Sequence, residues 1–297
     1  MSRLLALLCL LGMLAAPLAV APGGAYSPPT GAGVMGYMES YVMTHPMRLH
    51  ELPTHQKARD TLVSELQGFG LYVERHAYAG GVNIVAYQNG TSKPNEWLVL
   101  SAHYDTTETT VYGAWDDGAG VAQLLELARS GATRSYNRTV VYAFFDDEEQ
   151  GLLGSKAYAA AKRAKVVGNL NFDPPGLNWP CADATGHLSV KASFNEVKTA
   201  QNKPGYVRMK NAVIAGMDAA GVPAAYRDLA PDLPIASTFG IGLAGTSDHA
   251  SFDAHDIPNA FVGSLPTTKG PFSTRVLNYP LHTPADDLAA MVARCGS

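Results

Sequence analysis

Two uninterrupted apolar runs dominate the hydrophobic pattern: residues 97–101 (WLVLS) and 139–145 (TVVYAFF). Neither alternates apolar with polar positions. Each therefore reads as a strand covered on both faces, the mark of a parallel sheet packed between helices. Around them the period shifts between 2 and 3.6. Residues 71–77 and 82–87 read as strands, with Asn89-Gly90 as a turn after the second. Residues 166–172 and 257–263 read as two more. Helical spacing covers 34–44, and 56–68, where Leu62, Val63 and Leu66 share a face and Gly68 and Gly70 end the helix. It returns at 118–130, with Val121, Leu124, Leu125 and Ala128 in phase, and at 154–165, 205–220, 247–254 and 285–293. Strands alternating with helices predict one α/β domain over 26–297, three layers deep (α/β/α), with a mostly parallel, mixed central sheet. Residues 178–204 have weak periodicity and read as an insertion. No repeat or linker divides the chain.

The chain has 297 residues, 46% hydrophobic and 16% charged, which predicts a sizeable core. A net charge of −4 gives no electrostatic case for nucleic acid or an anionic membrane as partner. Residues 1–25 read as a secretory signal: Arg3, an apolar stretch to about Ala16, then small residues, with competing cleavage positions near Ala21 and Ala25. The expectation is a secreted chain (extracellular or periplasmic), off the membrane after cleavage, and monomeric. Cys9 would leave with the signal. Cys181 and Cys295 either pair in the oxidising compartment or remain two thiols.

Residues 146–149 (DDEE) end the second apolar run. By itself such a run is a solvated acidic turn. Other strand ends change that reading, because open α/β sheets bind ligands at the carboxyl ends of their strands. The first run ends in His103-Tyr104-Asp105, and Asp116-Asp117 stands just before a helix. Asp173 follows the strand at 166–172, and His282 lies in a late loop. Singly, each has an ordinary explanation: a core histidine, a helix cap, a turn former. Jointly they are two imidazoles and several carboxylates at one sheet edge, a donor set that suits zinc. The adjacent Glu148 and Glu149 could divide two tasks, one binding metal and the other moving a proton.

HYD at 103–105, DDGAG at 116–120, EEQGLLGS at 148–155, Asp173, SDHASF at 247–252 and HTPADD at 282–287 occur in that order. Together they resemble the co-catalytic zinc exopeptidases of peptidase clan MH, most nearly the secreted aminopeptidase S and aminopeptidase Y type. The resemblance runs from about Asn83 to Asp287. It implies the zinc-exopeptidase fold and two Zn2+ per chain. His103 and Asp173 would hold one ion, Glu149 and His282 the other, and Asp116 would bridge them. Asp105 would orient His103, and Glu148 would be general base and acid. The Asp116–Asp117 peptide would often be cis. The implied activity is hydrolysis of the first peptide bond of peptides with a free N-terminus. Asp248 would lie near the substrate, and Tyr279 is the candidate for polarising the substrate carbonyl.

The chain departs from the pattern at several places. Trp115 precedes the bridging aspartate, where a small residue is expected. Asp147 is charged where many relatives are not. Pro174-Pro175 follows the ligand aspartate, and Leu281 replaces an aromatic residue before the last histidine. Leu281 also speaks against a single-zinc glutaminyl cyclase, which shares the fold and has tryptophan there. A carboxypeptidase or aminoacylase of the clan would show a basic carboxylate-binding cluster or a dimerisation insert, and neither is apparent. A catalytically inactive binding domain would have lost ligands or the base, whereas every expected position is occupied.

Overall fold

In the computed structural model, residues 26–175, 190–193, 198, 201, 203–221, 227–228, 247–263 and 282–295 are described. The signal region, most of the insertion at 178–204, Cys181 and Tyr279 lie outside them. The strands in chain order are β1 (Tyr72–Tyr78), β2 (Gly81–Gln88), β3 (Lys93–His103), β4 (Arg138–Phe145), β5 (Val166–Phe172), β6 (Val190–Ser193), β7 (Arg227–Asp228) and β8 (Asn259–Gly263). They form one sheet in the order β1-β2-β4-β3-β5-β8-β6-β7. At its centre β4, β3, β5 and β8 run parallel, so their carboxyl ends share one edge. β2 joins β4 antiparallel, β1 joins β2 antiparallel and β6 joins β8 antiparallel, giving the expected mixed sheet.

The helices are α1 (Gly31–Ser40), α2 (Pro53–Gly68), α3 (Gly120–Gly131), α4 (Leu153–Lys162), α5 (Pro204–Ala219), α6 (His249–Asp253) and α7 (Leu288–Cys295). They cover both faces. Leu98, Leu100, Val140, Tyr142 and Phe144 pack with Leu62, Leu124, Leu125 and Val213 of α2, α3 and α5. The alternate residues Val99, Val141, Ala143 and Phe145 pack with Tyr158 of α4 and Phe252 of α6. This is why the two central runs lack alternation: successive side chains enter different cores, both apolar.

Some boundaries differ from the sequence expectation. The helix expected at 34–44 begins three residues earlier, because the Thr30 hydroxyl caps it by accepting from the Gly33 amide at 2.9 Å. A short 3-10 turn, Val42–Thr44, then continues it. β3 starts four residues before the apolar run, at a polar, exposed end whose register slips between Lys93 and Trp97. β6 lies inside the expected insertion, between β8 and the edge strand β7. Among the described residues no helix is long and apolar enough to cross a membrane.

Candidate active site

β3 delivers His103 to the shared edge, and the chain leaves it without leaving the core. Tyr104 still donates its amide to Phe145 O (2.9 Å). Asp105 is buried and acts as a hub. Its Oδ1 accepts from His103 Nδ1 (3.2 Å) and from the Glu148 amide (3.1 Å), and its Oδ2 accepts from the Glu149 amide (3.2 Å). One carboxylate thus fixes the imidazole ring and the backbone of both glutamates, as an outer carboxylate does behind a ligating histidine. The fully buried Arg48 holds the following loop by donating to the carbonyls of Tyr104 (2.7 Å), Tyr112 (2.6 Å) and Gly113 (3.2 Å). Gly113 has φ 52°, and a Cβ there would stand 2.5 Å from Asp116 O, so a side chain is excluded twice.

Asp116 and Asp117 follow, joined by a cis peptide bond as expected. Asp286 supports this turn from the far end of the chain. It is fully buried, and its two carboxylate oxygens accept from the amides of Trp115 (2.9 Å) and Asp116 (3.2 Å). Asp117 is buried as well, accepting from the amides of His103 (3.2 Å) and Gly120 (3.0 Å). Trp115 is accommodated as one of the largest fully buried side chains.

The DDEE segment is not a solvated turn: Asp146, Asp147 and Glu148 are all buried. Asp146 is structural, accepting from His55 Nε2 (2.8 Å) and from the amides of Val82 (3.0 Å) and Asp147 (3.1 Å). After the turn, Gly154 sits where a Cβ would meet Asn83 Oδ1 at 2.2 Å and Asp146 O at 2.3 Å, which explains the second glycine of the GLLGS segment.

Asp173 extends from β5. A one-way hydrogen-bond chain reaches it through the sheet. Asn169 Nδ2 donates to Ser101 Oγ (2.9 Å), and Ser101 to Asn171 Oδ1 (2.7 Å). Asn171 Nδ2 donates to Ser247 Oγ (2.6 Å), whose hydroxyl donates to Asp173 Oδ2. His282 comes from the late loop, its carbonyl held by Thr109 Oγ1 (2.8 Å).

These side chains converge. His103 Nε2 stands 3.1 Å from Asp116 Oδ1 and 3.7 Å from Asp173 Oδ1. His282 Nε2 stands 2.9 Å from Asp116 Oδ2 and 3.4 Å from Glu149 Oε1. Asp116 therefore lies between two imidazoles, with one oxygen facing each. Ligand atoms of His103, Asp116 and Glu149 fall within 4.8 Å of one another, as do those of His103, Asp117 and Asp173. Asp248 is buried at the start of α6, and both its carboxylate oxygens lack hydrogen-bond partners among the described residues. Tyr279 lies outside the described residues.

The buried carboxylates and imidazoles of this cluster shift one another's protonation. Burial pushes Glu148 well above the carboxylate range, and nearby Asp173 and Asp248 add to it against the pull of His103. Burial and Asp116 raise Glu149 to about 8. Burial opposes the charge of His103, but Asp173, Asp105 and Asp116 more than offset it and lift the imidazole well above its usual value. The hydrogen bond to Asp116 raises His282 to about 9. Among the described residues, the two imidazoles are the cations at ion-pair distance from Asp116, Glu149 and Asp173.

The sequence profile of peptidase family M28 matches residues 83–294, most of the chain. The chain belongs to peptidase family M28. A probable zinc metalloprotease of Pyricularia oryzae is 36% identical to this M28 chain over 143 residues, covering 39% of the chain and 28% of that protein. The M28 chain spans between 8% and 28% of the length of the first curated relatives it matches. Among solved structures, the Legionella pneumophila LapA aminopeptidase superposes with a TM-score of 0.62 at 17% identity, over 90% of this chain and 70% of that one. Porphyromonas gingivalis glutaminyl cyclase does so with 0.61 at 20% identity, over 88% and 91%. At such identities the likeness shows the fold alone, which these aminopeptidase and cyclase structures share. The clan MH resemblance thus stands at the level of the family.

Sequence reasoning assigned no role to Asp117, Arg48 or Asp286. The HTPADD segment contained the signal for Asp286, but its partners are backbone amides 170 and 171 positions away. Asp286→Asn in this M28 chain replaces one acceptor with a donor facing a buried amide. It is expected to lower metal affinity and kcat by about 10–100-fold, as for an outer-shell partner. Metal titration alongside circular dichroism checks this: a folded variant with unchanged metal affinity would show that Asp286 does not position Asp116.

Proposed function

We propose that this M28 chain is a secreted aminopeptidase of the aminopeptidase S and Y type that holds two Zn2+. The observation that carries the reading is the Asp116 carboxylate, set between His103 and His282 with Asp173 and Glu149 flanking. The donor set fits the metal. Atoms about 2.0–2.2 Å from a tetrahedral zinc stand roughly 3.3–3.6 Å apart, and the four separations, 2.9, 3.1, 3.4 and 3.7 Å, bracket that range. His103 and Asp173 would hold one ion, Glu149 and His282 the other, and Asp116 both. Zinc supplies Lewis acidity, lowering the pKa of water and polarising a carbonyl.

The protein's own groups do the rest. Glu148 accepts a proton from the attacking water as oxygen bonds to the scissile carbonyl carbon. It then gives that proton to the amine as the C–N bond breaks. Asp105 keeps His103 and Glu148 in register. Asp248, buried beside Glu148 and Asp173 in the same field, borders the substrate, and Tyr279 is proposed as the carbonyl partner. Acidic groups here favour a substrate with a free α-ammonium.

Zinc quantification with paired aminoacyl-anilides, one free and one N-acetylated, tests this. Two zinc ions per chain and cleavage of the free form alone are expected. Cleavage of both forms alike would end the aminopeptidase reading. One zinc together with cyclisation of N-terminal glutamine would replace it with a glutaminyl cyclase.

A further inference from the structure

His282 has the least support of the residues that would hold metal. The His103 side chain is 1% exposed, and Asp105 accepts from its Nδ1. Asp173 has the Ser247 hydroxyl behind it, Asp116 has Asp286 and Glu149 has Asp105. The His282 side chain is 49% exposed. Among the described residues no group bonds to its Nδ1, where a ligating histidine ordinarily has its outer partner. Its backbone lies in the left-handed region (φ 56°), where a residue with a side chain stays only if its neighbours hold it. The aim of this imidazole is therefore set by its main chain. There, among the described residues, the bonding group is the Thr109 hydroxyl, 2.8 Å from the carbonyl oxygen.

Thr109 is itself held. Its Oγ1 lies 3.2 Å from Thr107 Oγ1, which lies 2.7 Å from Thr110 Oγ1. A carbonyl oxygen only accepts, so the Thr109 hydrogen points at His282 O. Thr107 must then donate to Thr109, and Thr110 to Thr107. The chain of hydroxyls thus runs one way, from the buried Thr110 out to the exposed Thr109. The loop that carries them is pinned on both sides. The Thr106 amide donates to Arg48 O (3.2 Å), and the Met47 amide to Val111 O (2.6 Å). Further out, the Arg48 guanidinium donates to the carbonyls of Tyr104, Tyr112 and Gly113. The segment that leaves β3 after His103 is thus a fixed frame, and it reaches a second imidazole 173 positions from Thr109.

We propose that Thr109 is the positioning residue for His282. Through it, the three threonines set the affinity of the ion that Glu149 and His282 would hold, and leave the ion of His103 and Asp173 alone. The proposal rests on the two-zinc reading above.

Zinc titration against a competing chelator tests it, on the unmodified chain, Thr109→Val and Thr109→Ser. Valine has the shape of threonine without the hydroxyl, and the position is exposed, so the fold should survive; circular dichroism checks this. Thr109→Val is expected to weaken one ion about 10-fold and leave the other unchanged. Serine keeps the hydroxyl and should restore the affinity. In His282→Ala protein the carbonyl no longer carries an imidazole, so adding Thr109→Val should change nothing further. An unchanged titration in Thr109→Val overturns the proposal. So do equal weakening of both ions, no recovery with serine, or the same loss in the His282→Ala background. An unmodified chain that takes a single zinc would sink the two-zinc reading alone. The comparison with and without His282 would still decide whether Thr109 acts through that imidazole.

Discussion

Glu148→Gln is expected to abolish turnover while leaving the metal in place. The amide has the shape of the carboxylate but cannot accept the proton of the attacking water. Loss of a general base typically lowers kcat by about 10²–10⁴-fold, or roughly 3–5 kcal/mol of barrier. The proposal gives metal binding to the other glutamate. The Glu148 amide is tied to Asp105 Oδ1, whereas Glu149 is the glutamate at 3.4 Å from His282 Nε2. Turnover under saturating substrate and zinc content on the same preparation check both halves. Near-normal kcat, or loss of zinc with the activity, would remove Glu148 from the role of base.

Asp116→Ala should have the opposite signature, losing zinc first and activity as a result. Both oxygens of Asp116 are engaged, one facing each imidazole. Loss of an outer-shell partner weakens metal sites by about 10–100-fold, and loss of a carboxylate common to two ions should exceed that. The effect is also readable in stability. A ligand that binds only the folded chain stabilises it by about 2.7 kcal/mol at 100 times its Kd. A chelator should therefore lower the Tm of the unmodified protein and leave that of Asp116→Ala unchanged. Full zinc content in the variant would show that Asp116 is not shared.

The fold was legible where the physics is local. Uninterrupted apolar runs marked β3 and β4 because both cores are apolar, and Gly68 marked the end of α2. β6 and β7 gave no such signal: four and two residues at the sheet edge carry too little pattern to stand out. In the site, the residues singled out from strand ends do come together, because parallel strands must place their carboxyl ends side by side. What stayed hidden was their support. Asp286, Asp117 and Arg48 act on backbone amides and carbonyls, and a sequence does not show which backbone groups a turn leaves unpaired.

The polar relay from Asn169 to Asp173 bears on how the sheet assembles. Ser101 and Asn171 sit opposite each other on β3 and β5, amid neighbours such as Val99 and Phe145 that would tolerate almost any alignment. A one-residue slip of β5 would turn both asparagines into the opposite layer, among Leu100 and Leu124, and strand Ser101 and Ser247 without partners. Each orphaned group costs about 1–3 kcal/mol. The relay thus works as an alignment key for the nascent sheet, so that the same few side chains that aim Asp173 also reject mispaired versions of the strands that carry it.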